Sequence, residues 1–204
     1  MKKILLTSVA VAMATFASNA AVRPYVSAHV GYTNPYFHIS EDDDLDYLLR
    51  ESYTDKFAYD VSGAFGVKFD LSRDFALRGE VEYDYVHGFV LVTSRIWERS
   101  QTVLANAYLD FKTATRFTPY IGAGIGYQFN HLNNKLFSNN HTTTPHMLAW
   151  QFSAGVAYSI TNKLSIDLGY RFLESAFYKI KDDPYGLAFK NEYNQYRLGV
   201  NYAF

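Results

Sequence analysis

Charged side chains recur at alternate positions along several stretches of this chain, and that spacing governs the chemistry open to them. Lys68, Arg78, Glu80, Glu82, Asp84, Asp110, Asp167, Arg171 and Arg197 all fall on the polar parity of alternating segments. Residues two apart in an extended chain share a face, so Arg78, Glu80, Glu82 and Asp84 project from one side of one strand. Acids and bases on a shared face can line a path for small solutes. They can also pair with one another, filling an interior and fixing strand register. Unpaired charges in such an interior cost on the order of several kcal/mol each, which favours pairing.

Other clusters are weaker as chemistry. Glu41-Asp42-Asp43-Asp44-Leu45-Asp46 offers carboxylates for a divalent cation or a basic partner. A calcium loop is not formed, because the turn glycine and the closing glutamate are missing. Tyr36, Phe37, Tyr47, Leu48 and Leu49 flank the acids, a composition shared with protein-binding surfaces. Phe177, Tyr178, Lys179, Ile180, Lys181 and Tyr185 repeat the theme further on. His131, His141 and His146 are loosely spaced with no acid between them, so no metal site is expected. His29, on the polar parity, reads as a hydrogen-bonded interior residue. The chain has no Cys, which excludes a thiol nucleophile, a zinc ribbon and a disulfide scaffold. No cofactor is implied.

The elements that must position these groups are strands. Of 204 residues, 49% are hydrophobic and 18% aromatic, which excludes a disordered chain. A formal net charge of -1 gives no nucleic-acid footprint. Met1 to Ala20 has a basic start at Lys2 and Lys3, an apolar run from Ile4 to Phe16, and small residues at Ser18 and Ala20. It reads as a signal peptide, leaving residues 21–204 as one domain. Beyond it, period-two alternation marks eight strands near 23–32, 57–69, 74–86, 101–111, 119–130, 147–160, 163–173 and 193–204. Each reaches the roughly 9–11 residues that a tilted membrane-crossing strand needs.

One parity is apolar throughout, from Val26, Ala28, Val30 and Tyr32 to Tyr196, Leu198, Val200, Tyr202 and Phe204, with aromatic residues near both strand ends. The other parity carries the charges. Links after the odd strands are long (33–56, 87–100, 131–146, 174–192), and those after the even strands are short. This is the pattern of an all-β, eight-stranded, antiparallel transmembrane β-barrel, an up-and-down meander with both termini in the periplasm and long loops outside. An open sheet would leave unpaired edges in lipid, so the strands must close. The lipid-facing set holds neither Ser nor His, so an enzyme acting on lipid is not expected.

Arg78 to Tyr83 (RGEVEY), Val103 to Phe111 (VLANAYLDF), Thr118 to Tyr127 (TPYIGAGIGY) and Leu164 to Phe172 (LSIDLGYRF) resemble the small outer-membrane β-barrel family of opacity proteins and OmpA-type membrane domains. The ending Tyr196, Leu198, Val200, Tyr202, Phe204 looks like the C-terminal signal read by the barrel-assembly machinery of Gram-negative bacteria. The resemblance implies an outer-membrane location among lipid and lipopolysaccharide. It also implies a surface protein used for adhesion or contact with host surface proteins, with a narrow porin-like channel as the alternative. No family binding motif is present in the loops.

Overall fold

A computed structural model describes residues 22–40, 48–49, 56–92, 94–132, 146–176, 178–179 and 188–204. The eight long strands are β1 (Val22–Ser40), β2 (Lys56–Asp70), β3 (Phe75–Val92), β4 (Ser94–Phe111), β5 (Phe117–Leu132), β6 (His146–Ser159), β7 (Leu164–Ser175) and β8 (Ala188–Ala203). Each pairs antiparallel with its neighbour in sequence, and β8 returns to β1 from Tyr25↔Ala203 to Ser40↔Ala188. The sheet is therefore closed. Two-residue pieces at Leu48–Leu49 and Tyr178–Lys179 extend the long-link ends of β1 and β8. Residues 1–20, read as a signal peptide, and Asp42, Asp43, Asp44, Asp46, Tyr47, Phe177 and Tyr185 lie outside the described residues.

The short links are tight. Leu71 N and Ser72 N both donate to Phe75 O at 3.1 Å, and the Ser72 hydroxyl accepts from Asp74 N and Phe75 N. The long links are shorter than the sequence reading drew them. Residues 33–40 and 188–192, read as loop, form one ladder between β1 and β8. The segment 87–100 continues the β3–β4 hairpin as far as Val92↔Ser94. Tyr36 and Phe37 are thus strand residues.

Register sets the size of the barrel. Following paired residues once around from Tyr59 leads through Tyr32, Tyr196, Tyr170, Ala154, Ile121, Leu109 and Leu77 to Phe69. The circuit returns to β2 displaced from position 59 to position 69, a stagger of ten residues. Eight strands with that stagger tilt by roughly 40° from the axis, given about 3.3 Å per residue and 4.7 Å between strands.

Tyr59 and Phe69 also mark the two edges of the lipid belt. Tyr32, Tyr59, Tyr85, Tyr127, Trp150, Phe172 and Tyr196 ring the long-link side of the outer wall, and Phe69, Phe75, Phe111, Phe117, Tyr158, Tyr202 and Phe204 ring the other. Ten residues at this tilt span roughly 25 Å, the height of the apolar band on outer-membrane barrels. Beyond the upper girdle the strict pattern loosens. Outward positions include Asn34, Glu174, Lys190, Glu192, Asn194, Arg99 and Gln101 beside the exposed Leu148, while Ala58, Val86, Leu104, Ala149, Leu173 and Tyr193 form a buried apolar cluster inside, set among the buried Ser100, Gln128 and Ser175. Water replaces lipid outside at that level, so charge moves outward and the hydrophobic effect draws apolar side chains inward. That mixing of polar and apolar residues on both faces is why strand alternation in the sequence broke off too early.

Candidate functional site

The polar parity of β3 supplies the axis of the lumen, with Arg78, Glu80, Glu82 and Asp84 facing inward at successive levels. At the short-turn rim, Asp70 accepts from Arg23 Nη2 at 2.5 Å and pairs with Lys112 Nζ at 2.6 Å. Burial raises the Asp70 carboxyl, but the Lys112 hydrogen bond and the charges of Arg23, Lys112 and Lys68 outweigh it and hold the group below its ordinary value.

One level in, Asp110 receives Lys68 Nζ at 2.7 Å and Arg78 Nε at 2.8 Å. The Arg78 guanidinium carbon lies 4.7, 4.9 and 5.9 Å from the ring centroids of Tyr108, Tyr120 and Tyr25. Three rings thus enclose the cation. The same phenols serve the next layer. Tyr25 and Tyr108 donate to Glu80 at 2.6 and 3.0 Å, and Tyr120 donates to Asp167 at 2.9 Å. Glycine makes room for them, since a Cβ at Gly122 would meet the Tyr108 ring and one at Gly155 the Tyr120 hydroxyl. His29 Nε2 lies 3.6 Å from Asp167 Oδ1.

The densest layer follows. Glu82, fully buried, meets Arg171 Nη1 at 2.9 Å, Arg197 Nη2 at 2.5 Å and Asn106 Nδ2 at 2.8 Å. Arg171 also reaches Asp84 at 2.8 Å and donates from Nε to Gln195 at 2.5 Å. Arg197 spans to Asp60 at 3.3 Å and donates to Ser62. Thr33 donates to Asp60 at 2.9 Å, and Gln195 donates to Thr33 at 3.3 Å. Above this layer sits the apolar cluster of Ala58, Val86, Ala149, Leu173 and Tyr193, with Leu104, the register partner of Glu82, at its foot.

Two barriers of opposite character therefore close the lumen. Among the described residues, the cavity at the level of His29, Glu80, Asp167 and Arg171 holds about 20 Å³, room for about one water. A larger space of about 150 Å³ lies at the short-turn end, lined by Arg23, Lys68, Arg78 and Asp110.

All nine charges singled out from the sequence face this interior, and each is paired or hydrogen-bonded. Asp60, Tyr25, Tyr108 and Tyr120 complete the network; Asp60 and Tyr108 lie on the polar parity of the sequence, whereas Tyr25 and Tyr120 were passed over because Tyr counts as apolar on either face. Tyr196, Leu198, Val200, Tyr202 and Phe204 all face outward and are 42% to 62% exposed. Tyr36 stands on the outer wall above the girdle. Phe37 and Tyr178 have described backbone positions in strands. His87, read as a loop residue, is an outward strand residue whose ring packs against Tyr59 and Tyr85.

The chain matches the family model described as outer membrane protein beta-barrel domain over residues 4–204. It is 29% identical over 170 residues to the outer membrane protein PagN of Salmonella typhimurium, covering 72% of this chain and 70% of that protein. An uncharacterized protein of Brucella abortus is 37% identical over 82 residues, which cover 35% of this chain and 29% of that protein. Among solved structures, Neisserial surface protein A shares the fold with a TM-score of 0.57 at 18% identity, over 89% of this chain and 97% of that one.

Proposed function

The chain belongs to the outer membrane protein beta-barrel domain family of Gram-negative bacteria, and on that premise we propose that it is a non-enzymatic surface barrel whose external loops mediate adhesion or contact with host surface proteins. The observation that carries this reading is the pairing of a closed lumen with strands that continue past the membrane. The Glu82–Arg171–Arg197 layer and the apolar cluster above it leave no room for a solute path among the described residues. Beyond Tyr32, β1 runs on to Ser40, and its ladder with β8 keeps that extension rigid. Eight further residues at this tilt carry the wall roughly 20 Å above the girdle. A stiff collar of that height ends where the links 41–47, 133–145 and 180–187 begin, and the first of them holds Asp42, Asp43, Asp44, Asp46 and Tyr47.

In this reading the long-link rim is extracellular, both termini are periplasmic, and Met1 to Ala20 is removed on export. The outward, alternate Tyr196 to Phe204 pattern is then the handle for the assembly machinery. Cells displaying the intact barrel should bind host-cell surfaces several times better than cells whose long links are cut back to tight turns. Equal binding with correctly inserted barrels sinks the adhesion reading. Stable conductance steps from the refolded protein in a planar bilayer would instead support the porin alternative.

A further inference from the structure

The outer wall is not uniform just above the upper girdle. Register places Tyr59 of β2 beside His87 of β3, His87 beside Arg99 of β4, and Arg99 beside His131 of β5. With the tilt fixed by the ten-residue stagger, such a row climbs toward the long-link rim by about 3 Å per strand. His87 and Arg99 thus stand roughly 3 and 6 Å above Tyr59, where lipid headgroups replace acyl chains.

Arg99 is exposed and makes no ion pair among the described residues. The His87 ring lies 5.5 Å from the Tyr59 ring and 6.3 Å from that of Tyr85, whose hydroxyl is 3.5 Å from Nδ1. The outward carboxylates at this height, Glu174 and Glu192, lie on the opposite wall, where Glu174 pairs with Lys190 at 2.6 Å. No described residue facing outward on β2 to β5 above the girdle is acidic. One wall is therefore cationic at headgroup level and carries aromatic rings directly beneath.

We propose that Arg99, with His87 beside it, is a phosphate-binding site for the phosphorylated saccharolipid of the outer leaflet. The guanidinium presents paired N–H donors that match two phosphate oxygens, and exposure leaves them free to reach a lipid alongside. His87 stands beside it on the neighbouring strand. The rings of Tyr59 and Tyr85 give the first carbons of the acyl chains a flat surface to lie against. The site rests on the reading that the long-link rim is extracellular.

The test uses the refolded barrel in phosphatidylcholine vesicles doped with either phosphorylated or dephosphorylated lipid A, with the lipids that remain on the protein after mild detergent extraction quantified by mass spectrometry. The wild type should retain about tenfold more of the phosphorylated form, the ratio that one charge-assisted contact supplies. Arg99→Gln should lower the ratio several-fold, and R99Q/H87Q should bring it close to unity. Arg99→Lys should keep part of it, because the charge remains while the paired geometry is lost. Arg23→Gln, at the other rim, should leave it unchanged, and heat modifiability confirms that each variant is folded. Full retention by R99Q/H87Q, or an equal fall in R23Q, overturns the site. Orientation is read separately, by labelling Thr93→Cys in intact cells with a membrane-impermeant thiol reagent. An unlabelled Cys in a barrel that keeps its phosphate preference refutes the outer-leaflet source while leaving the cationic wall in place.

Discussion

Replacing Arg171 with Met separates the contribution of charge in the lumen from that of bulk. Its guanidinium is 1% exposed and joins Glu82 at 2.9 Å, Asp84 at 2.8 Å and Gln195 at 2.5 Å. Met fills similar volume, so little of the effect comes from a cavity. Glu82 keeps Arg197 at 2.5 Å. Asp84 is fully buried, and among the described residues Arg171 is the one cation within ion-pair distance of it. The variant therefore strands one carboxylate in a dry interior, at a cost of about 3–5 kcal/mol. That corresponds to roughly two to three and a half orders of magnitude in the folded-to-unfolded ratio. Adding Asp84→Asn removes the stranded charge, and the double variant should recover about 2 kcal/mol as coupling. Reversible urea unfolding in lipid vesicles, followed by tryptophan fluorescence and heat modifiability, measures both quantities. A single variant within 1 kcal/mol of wild type, or a double variant no better than the single, would refute the claim that this layer is a tightly paired ionic seal.

Three further outcomes follow from the geometry. The wild type should be silent in a planar bilayer, and so should R171M, because the apolar cluster still closes the barrel; truncating both layers in R171A/L104A/L173A should open a measurable conductance. Gly155→Val would drive a side chain into the Tyr120 hydroxyl and should lower stability by about 1–3 kcal/mol, read as a drop in the urea midpoint. The Asp70 carboxyl is held below its ordinary value in the folded state, so its contribution is present above the unfolded pKa and is lost as pH falls through the folded one. Being part-exposed, it is worth at most about 1 kcal/mol. Asp70→Asn should show that loss at pH 7 and merge with wild type in acid, in paired unfolding curves.

Much of the barrel was legible because lipid on one side and packed polar groups on the other impose a strict period of two. Val26, Val61, Val81, Val103, Ile125, Phe152, Leu168 and Leu198 all face outward as read. The same logic placed Lys68, Arg78, Glu82 and Arg197 together inside. It failed where the surroundings change. Above the upper girdle the wall stands in water, polar residues such as Asn34, Asn194 and Glu192 stand outside, and a reading tuned to lipid ended β1 and β3 too soon. Tyr25 and Tyr120 escaped notice, and the role of Tyr108 was unread, for a different reason. Each has an apolar ring and a polar tip, and only three-dimensional neighbours show that the hydroxyl serves Glu80 or Asp167 while the ring encloses Arg78.

The collar above the girdle also bears on how such a protein can change. Its ladder from Thr33↔Gln195 to Ser40↔Ala188, together with the Val86, Leu173 and Tyr193 interior, stands between the connecting segments and the ionic layer beneath. Substitution, lengthening or exchange of the connecting segments meets a wall whose register is already set, and the disturbance ends there. Selection can therefore reshape the connecting segments without each change having to be re-solved in the membrane. The barrel is in this sense a fixed socket that accepts new heads.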